Sequence, residues 1–300
     1  MVESAGFPWA YAVSRDGTPL FYESWGDRDD RAALALCDGI GCDGYVWRYL
    51  REDFAQRYTV HAHYRGHGRT PAPSDLSRVR IIDLADDLAS VLDDAGISRA
   101  VLVGHSMGVQ VALETFRRHR DRVAGLVLIC GAPSHPLRTF RNSSALEALL
   151  PKIQRMTSRL PSIINRFTRM MLPTRLAYEI AARLEIQRDL VQPSDFMPYL
   201  EGMARVDIRL FVAMLSSAGE HSAEDLLGDI DVPTLVISGE RDGFTPPERS
   251  HAMAETIPGA DLLEIPGGSH TAPIERPELV RDRVREFLAI RVDRVQSADL

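Results

Sequence analysis

The chain has 300 residues, 45% of them apolar and 26% charged, and a net charge of −7. This supplies a sizeable core, excludes wholesale disorder and allows one large domain or two smaller ones. The 35 basic side chains are outnumbered by 42 acidic ones and lie scattered among them, which excludes the clustered cationic surface that nucleic acids require.

In chain order, residues 1–12 carry no basic start, apolar run or small-residue cleavage site, so no secretory leader is expected. Residues 9–13 (WAYAV) and 20–24 (LFYES) flank Asp16-Gly17, a dipeptide suited to the positive φ angles of a hairpin turn. Short apolar runs follow at residues 32–37, 58–62, 100–103, 123–130, 233–238 and 262–265. They are nearly continuous rather than alternating, the pattern of parallel strands covered on both faces. Residues 81–95 place Ile81, Leu84, Leu88, Val91 and Leu92 near a 3.6-residue period, and Gly96 stops that helix. A second amphipathic pattern occupies residues 278–290.

The alternation predicts an α/β fold, a mostly parallel sheet flanked by helices. It breaks once. Residues 134–221 show helical patterns, prolines and no strand, so a helical cap is expected as an insertion after strand 6, dividing a core of residues 1–133 and 222–300. No run approaches the ~18 apolar residues of a membrane span. Three unevenly spaced cysteines, Cys37, Cys42 and Cys130, point to a reducing cytoplasm rather than a disulfide framework.

The strongest chemical signal is Gly104-His105-Ser106-Met107-Gly108, between an apolar strand and a helical pattern. A turn this sharp strains its central residue, and glycines two before and two after remove side chains that would collide. Ser106 would then stand above the sheet end, near a helix N-terminus. A serine hydroxyl needs a base to attack a carbonyl, and the base needs an orienting acid. Downstream, Asp242 sits in a loop after the run at 233–238, and His270 in a glycine-bearing loop after the run at 262–265. Asp242 could equally be a turn residue before Gly243, Glu240 is a nearby rival acid, and His270 alone could be structural. Jointly, the three loops follow strand ends that converge on one crevice.

On GHSMG, SGERDGFTP and GGSH followed by ERPELV, the sequence resembles the α/β-hydrolase superfamily, in its capped serine esterase and lactonase-like branch. Nearly the whole chain takes part, and Tyr64-Arg-Gly-His-Gly68 matches the family's pocket-wall turn. The resemblance implies a catalytic triad of Ser106, Asp242 and His270. It implies an oxyanion hole from the backbone N–H groups of Ile40 and Met107, with no cofactor and no metal. Asp38 stands where the family has a histidine; its charge must be paired, with Arg65 a conceivable partner, hydrogen-bonded to backbone N–H groups, or turned away, or its carboxyl must be protonated. Asp38-Gly-Ile-Gly41 is also similar to a segment of intracellular polyhydroxyalkanoate depolymerases.

His61, His63 and His67 invite a metal reading, but the triad chemistry has no use for one, and His63 can instead hydrogen-bond the pocket turn. Six of the nine methionines, Met156, Met170, Met171, Met197, Met203 and Met214, fall in the insertion and could line a lipophilic acyl pocket or fill gaps among helices. The expected activity is hydrolysis of a carboxylic ester or lactone of a lipophilic small molecule through an acyl-enzyme. C–C bond or thioester hydrolysis by the same triad is one alternative, and a non-catalytic small-molecule receptor is the other. The aspartate-nucleophile chemistry of haloalkane dehalogenases and epoxide hydrolases is disfavoured by the serine. No nucleic-acid or membrane partner is expected, the insertion's apolar stripes lacking an evident polybasic face.

Overall fold

Eight strands form one sheet: β1 (Trp9–Val13), β2 (Pro19–Trp25), β3 (Ala33–Cys37), β4 (Thr59–Ala62), β5 (Ala100–His105), β6 (Val123–Ile129), β7 (Thr234–Gly239) and β8 (Asp261–Ile265). Their spatial order is β1-β2-β4-β3-β5-β6-β7-β8. The first two strands join antiparallel, and β3 to β8 are mutually parallel. The computed structural model describes residues 8–139, 143, 145–184 and 190–294. The reading of residues 1–7 as free of a leader lies outside the described residues, as do residues 140–142, 144 and 185–189 of the insertion.

Every residue of β3, β5, β6 and β7 is buried, as continuous apolar runs require when helices cover both faces. Side chains alternate between two cores: Ala33, Ala35 and Cys37 face one layer, and Leu34 and Leu36 the other. The first layer takes Leu84, Leu88 and Leu92 of the helix Ile81–Asp94, together with Val111 and Phe116 of the helix Met107–Arg118. The second takes Trp47 and the helix Pro277–Phe287. The edge strands β1 and β8 alternate instead, one face of each being open.

Chain direction across the sheet reverses between β3 and β5, so the loops after these two strands open a crevice at their C-terminal ends. Between β6 and β7 lie the helices Pro136–Thr139, Ala145–Arg159, Pro161–Met171, Arg175–Leu184, Pro193–Arg205 and Ile208–Glu220, and among the described residues no strand. The ends of this segment meet in an isolated antiparallel bridge between Ser134 and Ser222. Among the described residues no helix is long and apolar enough to cross a membrane.

Candidate active site

Ser106 follows β5 with φ 56° and ψ −121°, a strained conformation for a residue with a side chain, and the next helix begins at Met107. Both motif glycines are sterically required. A Cβ on Gly104 would collide with the Gly108 carbonyl, and one on Gly108 with the carbonyl of Cys37 at the end of β3. These two contacts press the start of the helix against the β3 loop and hold the serine at the crevice.

His270 and Asp242 reach Ser106 from the loops after β8 and β7. Ser106 Oγ lies 2.9 Å from His270 Nε2, and His270 Nδ1 lies 3.1 and 2.9 Å from the two Asp242 carboxylate oxygens. Because the carboxylate can only accept, Nδ1 carries the proton and Nε2 is left to accept from the serine. Asp242 is itself fixed by the backbone N–H groups of Phe244 and Thr245, at 2.8 and 2.9 Å, and by the Thr245 hydroxyl at 2.8 Å. Glu240, the rival acid, points elsewhere and accepts from the Gly267 N–H at 2.6 Å.

Two positioning residues were not singled out from sequence. His105 Nε2 donates to the His270 carbonyl at 2.9 Å, and burial, with the nearby His270, pushes its pKa down to about 4, so it is neutral. Glu275, buried, accepts from the Ser269 N–H at 2.6 Å and from the hydroxyls of Ser269 and Thr271, gripping both neighbours of His270. His105 lies in plain sight within GHSMG, but its partner is 165 residues away, which no local pattern encodes.

The Gly39-Ile40 turn lies against Ser106: a Cβ on Gly39 would sit 3.2 Å from Ser106 Cβ. Met107 opens a helix, so its N–H has no intrahelical acceptor. Asp38, fully buried, accepts from Trp47 Nε1 at 2.6 Å and His61 Nε2 at 2.8 Å. Burial drives its carboxyl upward, but His61 and these hydrogen bonds outweigh that and hold it below the usual carboxylate range. Asp38 is therefore a paired carboxylate, not a protonated acid. The conceivable partner Arg65 is instead engaged by Asp87 and Asp16, because its side chain runs to the helix Ile81–Asp94 and the hairpin turn.

His67 and His63, the other two histidines of the candidate metal set, brace turns. His67 Nε2 accepts from the Gly41 N–H at 3.1 Å while Nδ1 donates to the Arg65 carbonyl at 3.0 Å, bracing the turn that contains Ile40. His63 Nδ1 accepts from the Arg69 N–H at 3.0 Å, bracketing the Tyr64–Gly68 turn. The structure adds Glu23, opposite His61 on β2, so that Glu23, His61 and His63 gather potential ligand atoms within 4.8 Å. This set fits a cation poorly. Arg51 lies 3.1 Å from the Glu23 carboxylate, and the bond to His63 Nδ1 leaves the proton on its Nε2.

Above the Gly39–Gly41 turn the insertion contributes Tyr199, Met203 and Phe211, each within 4 Å of where a Cβ on Gly41 would stand. Tyr45 stacks on Tyr199 with ring centroids 4.8 Å apart, and Phe244 lies 4.8 Å from the His270 ring. Of the six methionines in the insertion, Met203 is the one these contacts place beside the turn. Met214 is packed in the first core layer, Met197 against the second, and Met156 and Met170 face outward because their helical register turns them away.

Comparison with known proteins agrees with this architecture. Residues 32–277 match the family model described as the alpha/beta hydrolase fold. The chain is 29% identical over 303 residues to epoxide hydrolase 3 of Xenopus tropicalis, covering 96% of this chain and 80% of that one. It is 28% identical over 300 residues to the bifunctional esterase/perhydrolase DCH of Acinetobacter calcoaceticus, covering 93% and 99%. A thermophilic esterase from Thermogutta terrifontis superimposes with a TM-score of 0.75 at 25% identity, over 95% of this chain and 99% of that chain. The chain belongs to the alpha/beta hydrolase fold family.

Proposed function

We propose that the chain is a serine hydrolase that cleaves a carboxylic ester or lactone of a lipophilic small molecule, with Ser106, His270 and Asp242 as its triad. The observation that carries this reading is the continuous hydrogen-bonded chain from Asp242 through His270 to Ser106 Oγ, on a strained turn at a helix N-terminus. In the proposed cycle His270 Nε2 takes the Ser106 proton as Oγ attacks the substrate carbonyl, and Asp242 stabilises the resulting imidazolium. The N–H groups of Ile40 and Met107 hold the tetrahedral oxyanion. Collapse expels the alcohol, which takes the proton from His270 and leaves an acyl group on Ser106. His270 then activates a water that attacks this ester, and its collapse releases the acid and restores the serine.

The same chemistry argues against epoxide opening, despite the name of one relative. A serine attacking an epoxide carbon would form an ether, which has no carbonyl for water to attack, so turnover would stop. An ester-forming nucleophile regenerates. The esterase activities named for the Acinetobacter and Thermogutta proteins support the ester reading. In this reading residues 134–221 act as a cap, with Tyr199, Met203 and Phe211 supplying an apolar, aromatic wall for the acyl or alcohol group. The buried free thiols Cys37, Cys42 and Cys130 support a cytoplasmic setting.

Turnover of a panel of chromogenic esters, lactones, thioesters and carbamates, with Ser106→Ala as control, tests the proposal. Preferential hydrolysis of esters or lactones, lost in the variant, is the expected result. Wild-type rates equal to those of the variant across the panel would remove the hydrolase reading.

A further inference from the structure

We propose that the outer face of the helices Ala145–Arg159, Pro161–Met171 and Arg175–Leu184 docks on an anionic lipid surface. The middle helix is the clearest case: none of its residues is buried, and Ile163, Phe167 and Met170, spaced four and three apart, form one ridge that is 57–65% exposed. Leu149 and Met156 form a similar ridge on the preceding helix, and Leu176 and Ile180 on the following one. Scattered exposed leucines need no explanation, but three consecutive helices each turning an apolar ridge to solvent do.

Charge identifies the occupant. In a chain of net charge −7, residues 145–182 hold six basic side chains against two acidic ones. Arg166 and Arg169 each precede a ridge residue, so they flank the middle ridge along one side. On the preceding helix Lys152, Arg155 and Arg159, spaced three and four apart, run along one side of the Leu149 and Met156 ridge, and Arg175 precedes Leu176 on the following one. All six are exposed, and among the described residues none of them joins an ion pair. Elsewhere the arginines largely do, as Arg65, Arg117 and Arg118 illustrate. An apolar ridge with unpaired cations alongside it is the arrangement by which a helix lies in a lipid interface, side-chain stems in the acyl boundary and charges on anionic headgroups. A second copy of the chain fits less well, because pairing this face with itself would bring the two cationic flanks together.

The apolar stripes carry no polybasic face evident in the sequence, but the helical register lines the six cations along their sides. The face lies away from the site. The helix Pro193–Arg205, on which the helices Pro161–Met171 and Arg175–Leu184 pack, turns Tyr199 and Met203 toward Gly41. The inference is thus independent of the ester chemistry.

Co-sedimentation with phosphatidylcholine vesicles, with and without about 30% phosphatidylglycerol, tests it on the full chain. Binding to the anionic vesicles that weakens with added salt is expected, with much weaker binding to phosphatidylcholine alone. Removing two cations, as Arg166→Gln with Arg169→Gln, should lower partitioning by roughly 25-fold, about fivefold per charge. Phe167→Ser with Met170→Ser should abolish binding while leaving the far-UV circular dichroism unchanged, since both side chains are exposed. Three results would overturn the proposal: no binding to either vesicle, equal binding to both, or a wild-type dimer in sedimentation velocity that the Phe167→Ser, Met170→Ser variant converts to monomer.

Discussion

Asp38→Ala separates the pairing described here from a carboxylate that merely lies near the site. In the native fold this fully buried carboxylate accepts from Trp47 Nε1 at 2.6 Å and from His61 Nε2 at 2.8 Å. Truncation leaves two buried donors without an acceptor, at about 1–3 kcal/mol each, or about 4 kcal/mol together. At about 2–4 °C per kcal/mol in proteins of some 200 residues, the melting temperature should fall by roughly 8–16 °C. The next two residues are Gly39 and Ile40, so in the proposed mechanism a loosened Asp38 also loosens an oxyanion donor. Loss of such a donor costs about 10²–10³ in rate, and displacement should cost kcat roughly ten- to a hundredfold with KM little changed. Asp38→Asn keeps one acceptor for Trp47 and can donate to His61 in its other tautomer, so it should lose less than about 2 kcal/mol. Differential scanning fluorimetry and steady-state kinetics on a soluble ester read both effects. An Asp38→Ala protein with wild-type melting temperature and kcat would refute the pairing argument. An Arg65 variant that lowers kcat as strongly as Asp38→Ala would do the same, since Arg65 contacts Asp87 and Asp16 rather than the oxyanion turn.

Two further outcomes follow from the same geometry. Ser106→Gly should abolish hydrolysis yet melt above Ser106→Ala by the equivalent of roughly 1 kcal/mol, because glycine relieves the φ 56°, ψ −121° strain that alanine retains; an alanine variant as stable as the glycine one would deny that strain. Burial holds His63 and His105 neutral, with pKa values pushed down to about 3 and about 4 from the ordinary value near 6.5. Between these limits the unfolded chain binds more protons than the folded one, so stability is complete above pH 6.5 and falls as pH drops toward 4. At pH 5 each of these histidines should have withdrawn about 2 kcal/mol. Urea unfolding at pH 7.5 and pH 5 measures the loss, and equal stabilities at the two values would contradict it.

The elements that position the site could be read from local patterns. Short apolar runs located β3 to β8 to within one or two residues, because β3, β5, β6 and β7 are buried on both faces and so are mostly apolar along their length. Gly104 and Gly108 announced the turn at Ser106 for a steric reason the structure reproduces. The support around the site could not be read in this way. The contact of Asp38 with His61 depends on pairing between β3 and β4, and the bond from His105 to His270 joins the end of β5 to a loop 165 residues away. Methionine content alone does not say which way a helix faces. Met156 and Met170 turned out to point to solvent, and only the packing of their helices reveals it.

Labelling at Ser106 tests the central claim most directly. The chain, mixed with one equivalent of a p-nitrophenyl alkylphosphonate that mimics the tetrahedral intermediate, should release one equivalent of p-nitrophenol. Peptide mass mapping should then place the phosphonyl group on Ser106, with labelling absent in Ser106→Ala and much slowed in His270→Ala. Equal labelling of wild type and Ser106→Ala, or an adduct mapped to any other residue, would contradict the account.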